Sequence, residues 1–458
     1  MQADERPGSW PPNVIIIVAD DLGFGELGCQ GNPEIPTPRI DELAERGVRC
    51  TQAYVTAPNC SPSRAGLFTG RIPTRFGYEF NPIGARNEEE LAGLPSAEQT
   101  LPEFLHDAGY TTGLVGKWHL GGAAKFHPQR HGFDEFFGFM HEGHYFVPPP
   151  WQDTHTMLRK RRLPPGSQMR HRVSDTLLYS SHMGGNEPDY DANNPIIRGG
   201  QPVEEAQYLT DAFAREAVSF IDRYKHTPFF LTVTFNAVHS PLQAKLETLK
   251  GLDNIKDIHR RIFASMLVDL DRGVGTIVDA VRRNKLGQDT LIIFFSDNGG
   301  PTKELTSSNL PLRGGKGTMY EGGLRVPFIY CWPDTLPAGK QLRSLTSSLD
   351  IFPTVASLVG QQPKRRLDGE NIFPMLTGIG NVKRTERLFW RQGKKAALRL
   401  GPWKAVTNNR FDGTAWELYR IDEDVREESN LASKHPQQLQ NLLKVWSDYN
   451  AEMKEPLF

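Results

Sequence analysis

A chain of 458 residues with 53 lysines and arginines against 54 aspartates and glutamates has a formal net charge of −1. No global field draws it to nucleic acid, so any anion site must be local. The length allows a large core and more than one structural unit, and 43 glycines with 34 prolines point to an enzyme rich in loops. The longest apolar run, Val14 to Ala19, is strand-sized and far short of the roughly 20 residues of a membrane span. Four cysteines, Cys29, Cys50, Cys60 and Cys331, are too few for a disulfide scaffold.

After a proline-rich leader, Asn13 to Ala19 is a continuous β-branched run, the pattern of a strand buried on both faces of a mostly parallel sheet. It stops at Asp20-Asp21. Two adjacent acids at the carboxyl end of such a strand are costly to bury unless a cation neutralises them; the alternative is a helix cap or a solvated turn. Pro38 to Gly47 reads as a helix with Ile40, Leu43 and Ala44 on one face. Cys50 to Thr56 reads as the strand that delivers Cys60-Ser61-Pro62-Ser63-Arg64 to the same sheet edge. Pro62 stiffens the backbone where a helix starts, with Ser63 and Arg64 in its first turn. Cys60 then lies beside helix N-terminal amides, which favour anions and activated nucleophiles. Gln99 to Leu105 is a helix capped by Thr100, with Glu103 at the capping-box position. Gly109 to His119 is a strand ending on Lys117 and His119, two apart and hence pointing the same way.

Phe126 to Pro150 is rich in histidine and aromatics, among them His127, His131, His141, His144, Tyr145 and Phe146. A long irregular insertion follows from Trp151 to about Gly200, with the basic clusters Arg159-Lys160-Arg161-Arg162 and Arg170-His171-Arg172. It is either a solvated basic loop or a wall that recognises an acidic, polymeric substrate. Tyr208 to Tyr224 is an amphipathic helix, and Phe229 to Phe235 a core strand running into His239-Ser240-Pro241. Ile258 to Asn284 is a long helix, and Thr290 to Ser296 a central strand ending in Asp297-Asn298. Four oxygen donors from two strand ends suit a hard divalent cation, calcium or magnesium rather than zinc. Beyond about Pro333 the pattern changes. Leu349 to Val359 is a helix, short strands recur at 388–390, 396–400, 403–406 and 416–419, and a final helix covers about Pro436 to Met453. The expected architecture is α/β: a large, mostly parallel central sheet flanked by helices over residues 13–335, with the insertion at about 151–200. A smaller C-terminal α+β subdomain containing an antiparallel sheet covers 336–458.

The stretch from Cys60 to Arg64, trailed by Thr69-Gly70-Arg71, resembles the Cys-x-Pro-x-Arg signature of the type I sulfatases. Gly109-Tyr110-Thr111-Thr112, a short spacer and Gly116-Lys117-Trp118-His119 resemble the second signature of that family, and Arg313 to Lys316 its Arg-Gly-x-Lys loop. The resemblance spans Asn13 to Tyr419 and is to the arylsulfatase and N-acetylgalactosamine-6-sulfatase branch of the alkaline-phosphatase-like superfamily. It implies hydrolysis of a sulfate monoester to alcohol and inorganic sulfate, and the basic insertion points to a sulfated carbohydrate. Cys60 is expected to be oxidised to formylglycine by a separate maturating enzyme, to attack sulfur as the hydrated aldehyde, and to pass through a sulfo-enzyme intermediate.

On the matching positions the family implies Asp20, Asp21, Asp297 and Asn298 as ligands of Ca²⁺, with Mg²⁺ the alternative. Arg64 is expected to position the nucleophile, Lys117 and Lys316 to hold sulfate oxygens, His239 to protonate the leaving oxygen, and His119 to orient the nucleophile or take its proton. A sulfate-contacting side chain is expected shortly after Gly132 to Gly138, at His144 or else His141. The resemblance implies a periplasmic or secreted protein. The opening Met1 to Arg6 has no hydrophobic signal core, which leaves a cytoplasmic protein as the alternative. Other readings are a phosphate or phosphonate ester hydrolase of the same superfamily and a non-catalytic binder of sulfated glycans.

Overall fold

The computed structural model describes residues 11–181, 185–190, 193–379, 384–409, 411–413 and 415–458. In chain order the first strands are β1 (Asn13–Ala19), β2 (Val48–Tyr54), β3 (Thr111–Lys117) and β4 (Glu135–Phe139). Then come β5 (Thr154–Arg159), β6 (Arg170–Arg172), β7 (Leu177–Ser180), the short pair β8 (Ile197–Arg198) and β9 (Gln201–Pro202), β10 (Phe229–Thr234) and β11 (Leu242–Lys245). The last are β12 (Thr290–Ser296), β13 (Phe328–Cys331), β14 (Lys340–Ser347), β15 (Arg387–Gln392), β16 (Lys395–Leu400), β17 (Trp403–Thr407) and β18 (Glu417–Arg420).

A ten-stranded sheet with the order β14-β2-β13-β12-β1-β10-β3-β4-β8-β9 forms the middle layer. β1 lies at its centre, parallel to β10 on one side and to β12 on the other. Side chains alternate across a strand with period two, and β1 shows what that demands of a two-sided core. Ile15, Ile17 and Ala19 enter one apolar cluster, while Val14, Ile16 and Val18 enter the other. The first cluster is closed by α1 (Pro38–Glu45), the helix Ile258–Arg283 and α4 (Leu209–Tyr224). The second is closed by α2 (Cys60–Thr69), α3 (Leu101–Asp107) and the helix Ile351–Val359. At roughly 1.5–3 kcal/mol for each fully buried aliphatic side chain, this burial is what makes an unbroken β-branched run the stable choice at the centre.

The sheet direction fixes the site. β1, β10, β3 and β12 run parallel, so residues following their carboxyl ends gather at one edge. β2 is antiparallel to β13, which is antiparallel to β12, so β2 also delivers its chain to that edge, into α2. The expected capping box is present, with the Thr100 hydroxyl accepting from Glu103 N and the Glu103 carboxylate from Thr100 N.

Two expectations change. The insertion is not irregular: β5, β6 and β7 join β11 in a second, four-stranded sheet of order β11-β5-β7-β6. These strands span three to six residues, too short for a clear alternation. The C-terminal boundary is also crossed, because β14 lies beyond residue 335 yet pairs in parallel with β2 in the main sheet. A separate antiparallel sheet, β15-β16-β17-β18, follows, covered by the helix Pro436–Asn450, whose Trp446 stacks on Phe389 at 5.7 Å.

Candidate active site

α2 begins at Cys60, two residues earlier than its proline suggests, and all ten of its residues are buried. Pro62 falls in the first turn, where a backbone N–H has no intrahelical partner, so its missing donor costs nothing. The Ser61 amide donates to Asn81 Oδ1 at 3.0 Å. Cys60 Sγ lies 3.5 Å from Asp20 Oδ1 and 3.9 Å from Asp21 Oδ1. One turn on, Arg64 donates through Nε and Nη2 to Asp297 Oδ2 at 3.0 and 2.8 Å, and through Nη1 to the Lys117 carbonyl at 2.8 Å. A single guanidinium thus ties α2 to the ends of β3 and β12.

The remaining residues arrive from the other strand ends and, for Lys316, from the loop before the short helix Glu321–Leu324. Lys117 Nζ donates to Asp20 Oδ2 at 2.6 Å. Lys316 Nζ reaches both Asp21 oxygens at 2.7 and 2.8 Å. The backbone after β10 is stitched to β1, with Asp20 N donating to Ala237 O and Val238 N to Asp20 O, which sets His239 Nε2 3.6 Å from Asp21 Oδ2. The Lys316 loop is held from outside by the C-terminal sheet. Lys395 Nζ donates to Gly317 O at 2.6 Å and Met319 N to Asn408 Oδ1 at 2.7 Å, while Gly317 N donates back to Pro58 O, two residues before Cys60. Asp21 and His119 both adopt left-handed backbone conformations, φ 63° and 55°, a strain of the kind that surrounding structure must enforce.

Electrostatics follow from this crowding. Burial pushes the Asp20 and Asp21 carboxyls up, but the cations around them, led by Lys117 at the first and Lys316 at the second and joined by His239, together hold both below the usual range. Burial works against the Lys316 ammonium, but the acidic groups around it, Asp21 first, together raise it above its ordinary value. Burial, then Asp297, push the Cys60 thiol well up, so as a plain cysteine it is a poor nucleophile. Burial, then Lys117, hold His119 far below its ordinary value; burial also lowers His239, against the pull of Asp20.

One atom in the cluster is conspicuous. Asn298 Nδ2 donates to Asp21 Oδ1 at 2.7 Å, while its Oδ1 is buried with no hydrogen-bond partner among the described residues. Ligand atoms of Asp20, Asp21, Cys60 and Asp297 lie within 4.8 Å of one another. Buried carboxylates beside a spare amide oxygen are a donor set that fits a hard divalent cation.

Ten of the twelve expected site residues therefore meet at one edge, namely Asp20, Asp21, Cys60, Arg64, Lys117, His119, His239, Asp297, Asn298 and Lys316. Five of them, Asp21, Cys60, His119, His239 and Lys316, floor a cavity of about 500 Å³. His141 and His144 do not line it. His141 Nε2 is engaged with Glu88 at 2.7 Å, and His144 faces a separate cavity of about 350 Å³ beside Phe146 and Pro195. Between them Glu142 reaches the main cavity, joined at the rim by Asn81, Arg159, Asn186 and Tyr190. A loop leaving a strand end has no periodicity, so the sequence gives no sign which of three neighbouring polar residues turns inward.

Comparison with known proteins agrees with this geometry. A family model described as Sulfatase matches residues 12–361, and one described as N-sulphoglucosamine sulphohydrolase, C-terminal, matches 315–449. N-acetylgalactosamine-6-sulfatase of Sus scrofa is 35% identical over 412 residues, covering 86% of this chain and 71% of its own length. Arylsulfatase A of Homo sapiens is 34% identical over 444 residues, covering 95% and 82%. The crystal structure of Ps i-CgsB in complex with k-i-k-neocarrahexaose superposes with a TM-score of 0.84 at 35% identity, covering 98% of this chain and 94% of that one. Among the described residues no helix is long and apolar enough to cross a membrane. With a matching family model over most of its length and an alkaline-phosphatase-like architecture, the chain belongs to the sulfatase family and is a sulfuric ester hydrolase.

Proposed function

We propose that the protein removes sulfate from a sulfated carbohydrate, with position 60 as the nucleophile. The observation that carries the reading is the meeting of buried Cys60 with three carboxylates and two lysines at one sheet edge. Support for the substrate class comes from relatives of about one-third identity: one is named for N-acetylgalactosamine 6-sulfate, and another holds a neocarrahexaose.

Asp20, Asp21, Asp297 and Asn298 would hold Ca²⁺, with Mg²⁺ second; such an ion supplies positive charge beside the sulfate and raises the acidity of a neighbouring hydroxyl. Formylglycine, made from Cys60 by a maturating enzyme, would supply a hydrated aldehyde in place of a thiol that burial keeps protonated. Arg64 fixes the turn carrying position 60 against Asp297. Lys117 and Lys316 aim two ammonium groups at the sulfate oxygens, where charge grows in the transition state. His239 carries a ring N–H on Nδ1 to Ser240 O at 2.7 Å, so a proton for the leaving oxygen sits on Nε2, the atom facing Asp21, in the imidazolium form that Asp20 and Asp21 favour against burial. Its transfer returns the ring to the neutral Nδ1–H tautomer, a step typically worth about 10²–10⁴-fold. His119 Nε2 lies 3.0 Å from Pro82 O, and its buried Nδ1 has no partner among the described residues. That tautomer leaves Nδ1 as an acceptor for a proton from the nucleophile. An exported location, periplasmic or secreted, fits this function.

Sulfate release from defined sulfated galactose and N-acetylgalactosamine sugars, read by ion chromatography, tests the reading, with a phosphate monoester as control. We expect sulfate release, its loss by at least 10³-fold in Cys60→Ala, and a mass for the Cys60 peptide that reports formylglycine. EGTA is expected to abolish activity and Ca²⁺ to restore it. Full activity in Cys60→Ala protein overturns the mechanism.

A further inference from the structure

The insertion between β4 and β8 carries seven basic residues in two clusters, and the structure separates them sharply. Arg161, Arg162, Arg170 and Arg172 are exposed. Arg170 pairs with Asp257 and Arg172 with Asp175, while Lys160 sits over the Tyr179 ring. Arg159, the last residue of β5, instead lines the cavity whose floor holds Cys60, His239 and Lys316.

Its side chain is fixed by partners that are themselves buried. Nε and Nη2 donate to Glu187 Oε1 at 3.0 and 2.8 Å, and Nη2 also donates to the Tyr190 hydroxyl at 2.9 Å. The Tyr190 O–H donates to the same Glu187 oxygen at 2.8 Å. The Glu187 side chain is 4% exposed and that of Arg159 19%. Backbone bonds lock the pair further, Arg159 N to Glu187 Oε2 at 2.8 Å and Glu187 N to Arg159 O at 2.9 Å. Tyr190 packs edge-on to Tyr145 at 5.3 Å. Among the described residues Arg159 Nη1 has no hydrogen-bond partner, and it is not among the buried orphans, so its two N–H groups are accessible.

A guanidinium held rigidly on one side with donors spare on the other is a recognition device. Its charge is offset by Glu187, which weakens any attraction for a second anionic group. Its donors still need oxygen acceptors, and the rim beside it offers the complementary amides and carboxylate of Asn81, Asn186 and Glu142. We propose that Arg159, held by Glu187 and Tyr190, is a specificity-determining residue that donates through Nη1 to a hydroxyl or ring oxygen of the sugar carrying the scissile sulfate. The favoured substrate is therefore a neutral, polyhydroxylated sugar at that position rather than a small aryl ester. This rests on the sulfatase reading above and narrows it.

The test compares kcat/KM for 4-methylumbelliferyl sulfate with that for monosulfated galactose and N-acetylgalactosamine sugars, in wild type, Arg159→Met and Arg159→Lys. The expected result is that the ratio of sugar to aryl efficiency falls at least tenfold in Arg159→Met, carried mainly by KM, with Arg159→Lys between. If Arg159→Met does not fold, Arg159→Lys and Tyr190→Phe read the same ratio. An unchanged ratio overturns the proposal, as does a wild-type enzyme that cleaves the aryl sulfate and none of the sugars. Failure to release sulfate from either class sinks the sulfatase reading itself, a separable outcome.

Discussion

His131 shows how a single buried ring registers pH. It has no exposed surface, neither ring nitrogen has a partner among the described residues, and it packs at a tilt against Trp118, ring centres 5.7 Å apart. Burial pulls its pKa down to about 4 from an ordinary 6.5. Between those values the unfolded chain binds a proton that the native ring refuses, so stability falls as pH drops through that window and is fully present above it. The difference corresponds to about 3 kcal/mol at its low-pH limit. His131→Phe should flatten the pH dependence of urea unfolding between pH 6.5 and 4; an unaltered slope would place the acid sensitivity elsewhere.

At the scale of elements, α2 is unusual in having no solvent face. Its approach to the end of β2 depends on Gly66, where an added Cβ would lie 2.3 Å from Thr56 Oγ1. Gly66→Ala is expected to push the helix away, costing about 1–3 kcal/mol in chemical denaturation and lowering turnover, because Cys60 and Arg64 ride on the same helix. Wild-type turnover in that variant would show that the helix has room to adjust. Elements of this kind were legible in the sequence where chemistry constrained them locally. β1 and β12 could be read because continuous apolar runs stop at acids, and α3 because Thr100 and Glu103 cap it. Much of the site was readable for the same reason: Asp20, Asp21, Lys117, His119, His239, Asp297 and Asn298 stand at or just after strand ends, whereas Cys60, Arg64 and Lys316 were found through their resemblance to family motifs. The rim was not. Glu142, Arg159 and Tyr190 sit on loops and short strands whose inward faces are set by tertiary packing, and β14 could not be assigned to the main sheet because pairing with β2 links residues nearly 300 apart.

For the whole molecule, the decisive joint is the buried charge cluster under the C-terminal sheet. Lys404, fully buried, lies 2.9 Å from both Glu321 and Glu427, and Glu427 accepts the Glu321 amide through a side-chain oxygen and Arg313 through its carbonyl. Arg313 and Glu321 bracket the loop that carries Lys316. Lys404→Met would leave Glu427 buried without its cation and Glu321 with only the more distant Arg325 and Arg399, a change worth about 3–5 kcal/mol in urea unfolding. We expect a parallel rise in KM for the sulfate ester as the Lys316 loop loosens. Loss of stability with an unaltered KM would confine the cluster to a structural part.

The same closure governs when position 60 can be reached. Cys60 is 1% exposed in the finished fold, sealed by groups ranging from Asp20 to Lys316, with Lys395 and Asn408 fastening the last of them. A small ester can enter the cavity, but another protein's active site, which must grip the surrounding peptide, cannot. An enzyme that alters this side chain has to reach it before these groups have closed over it.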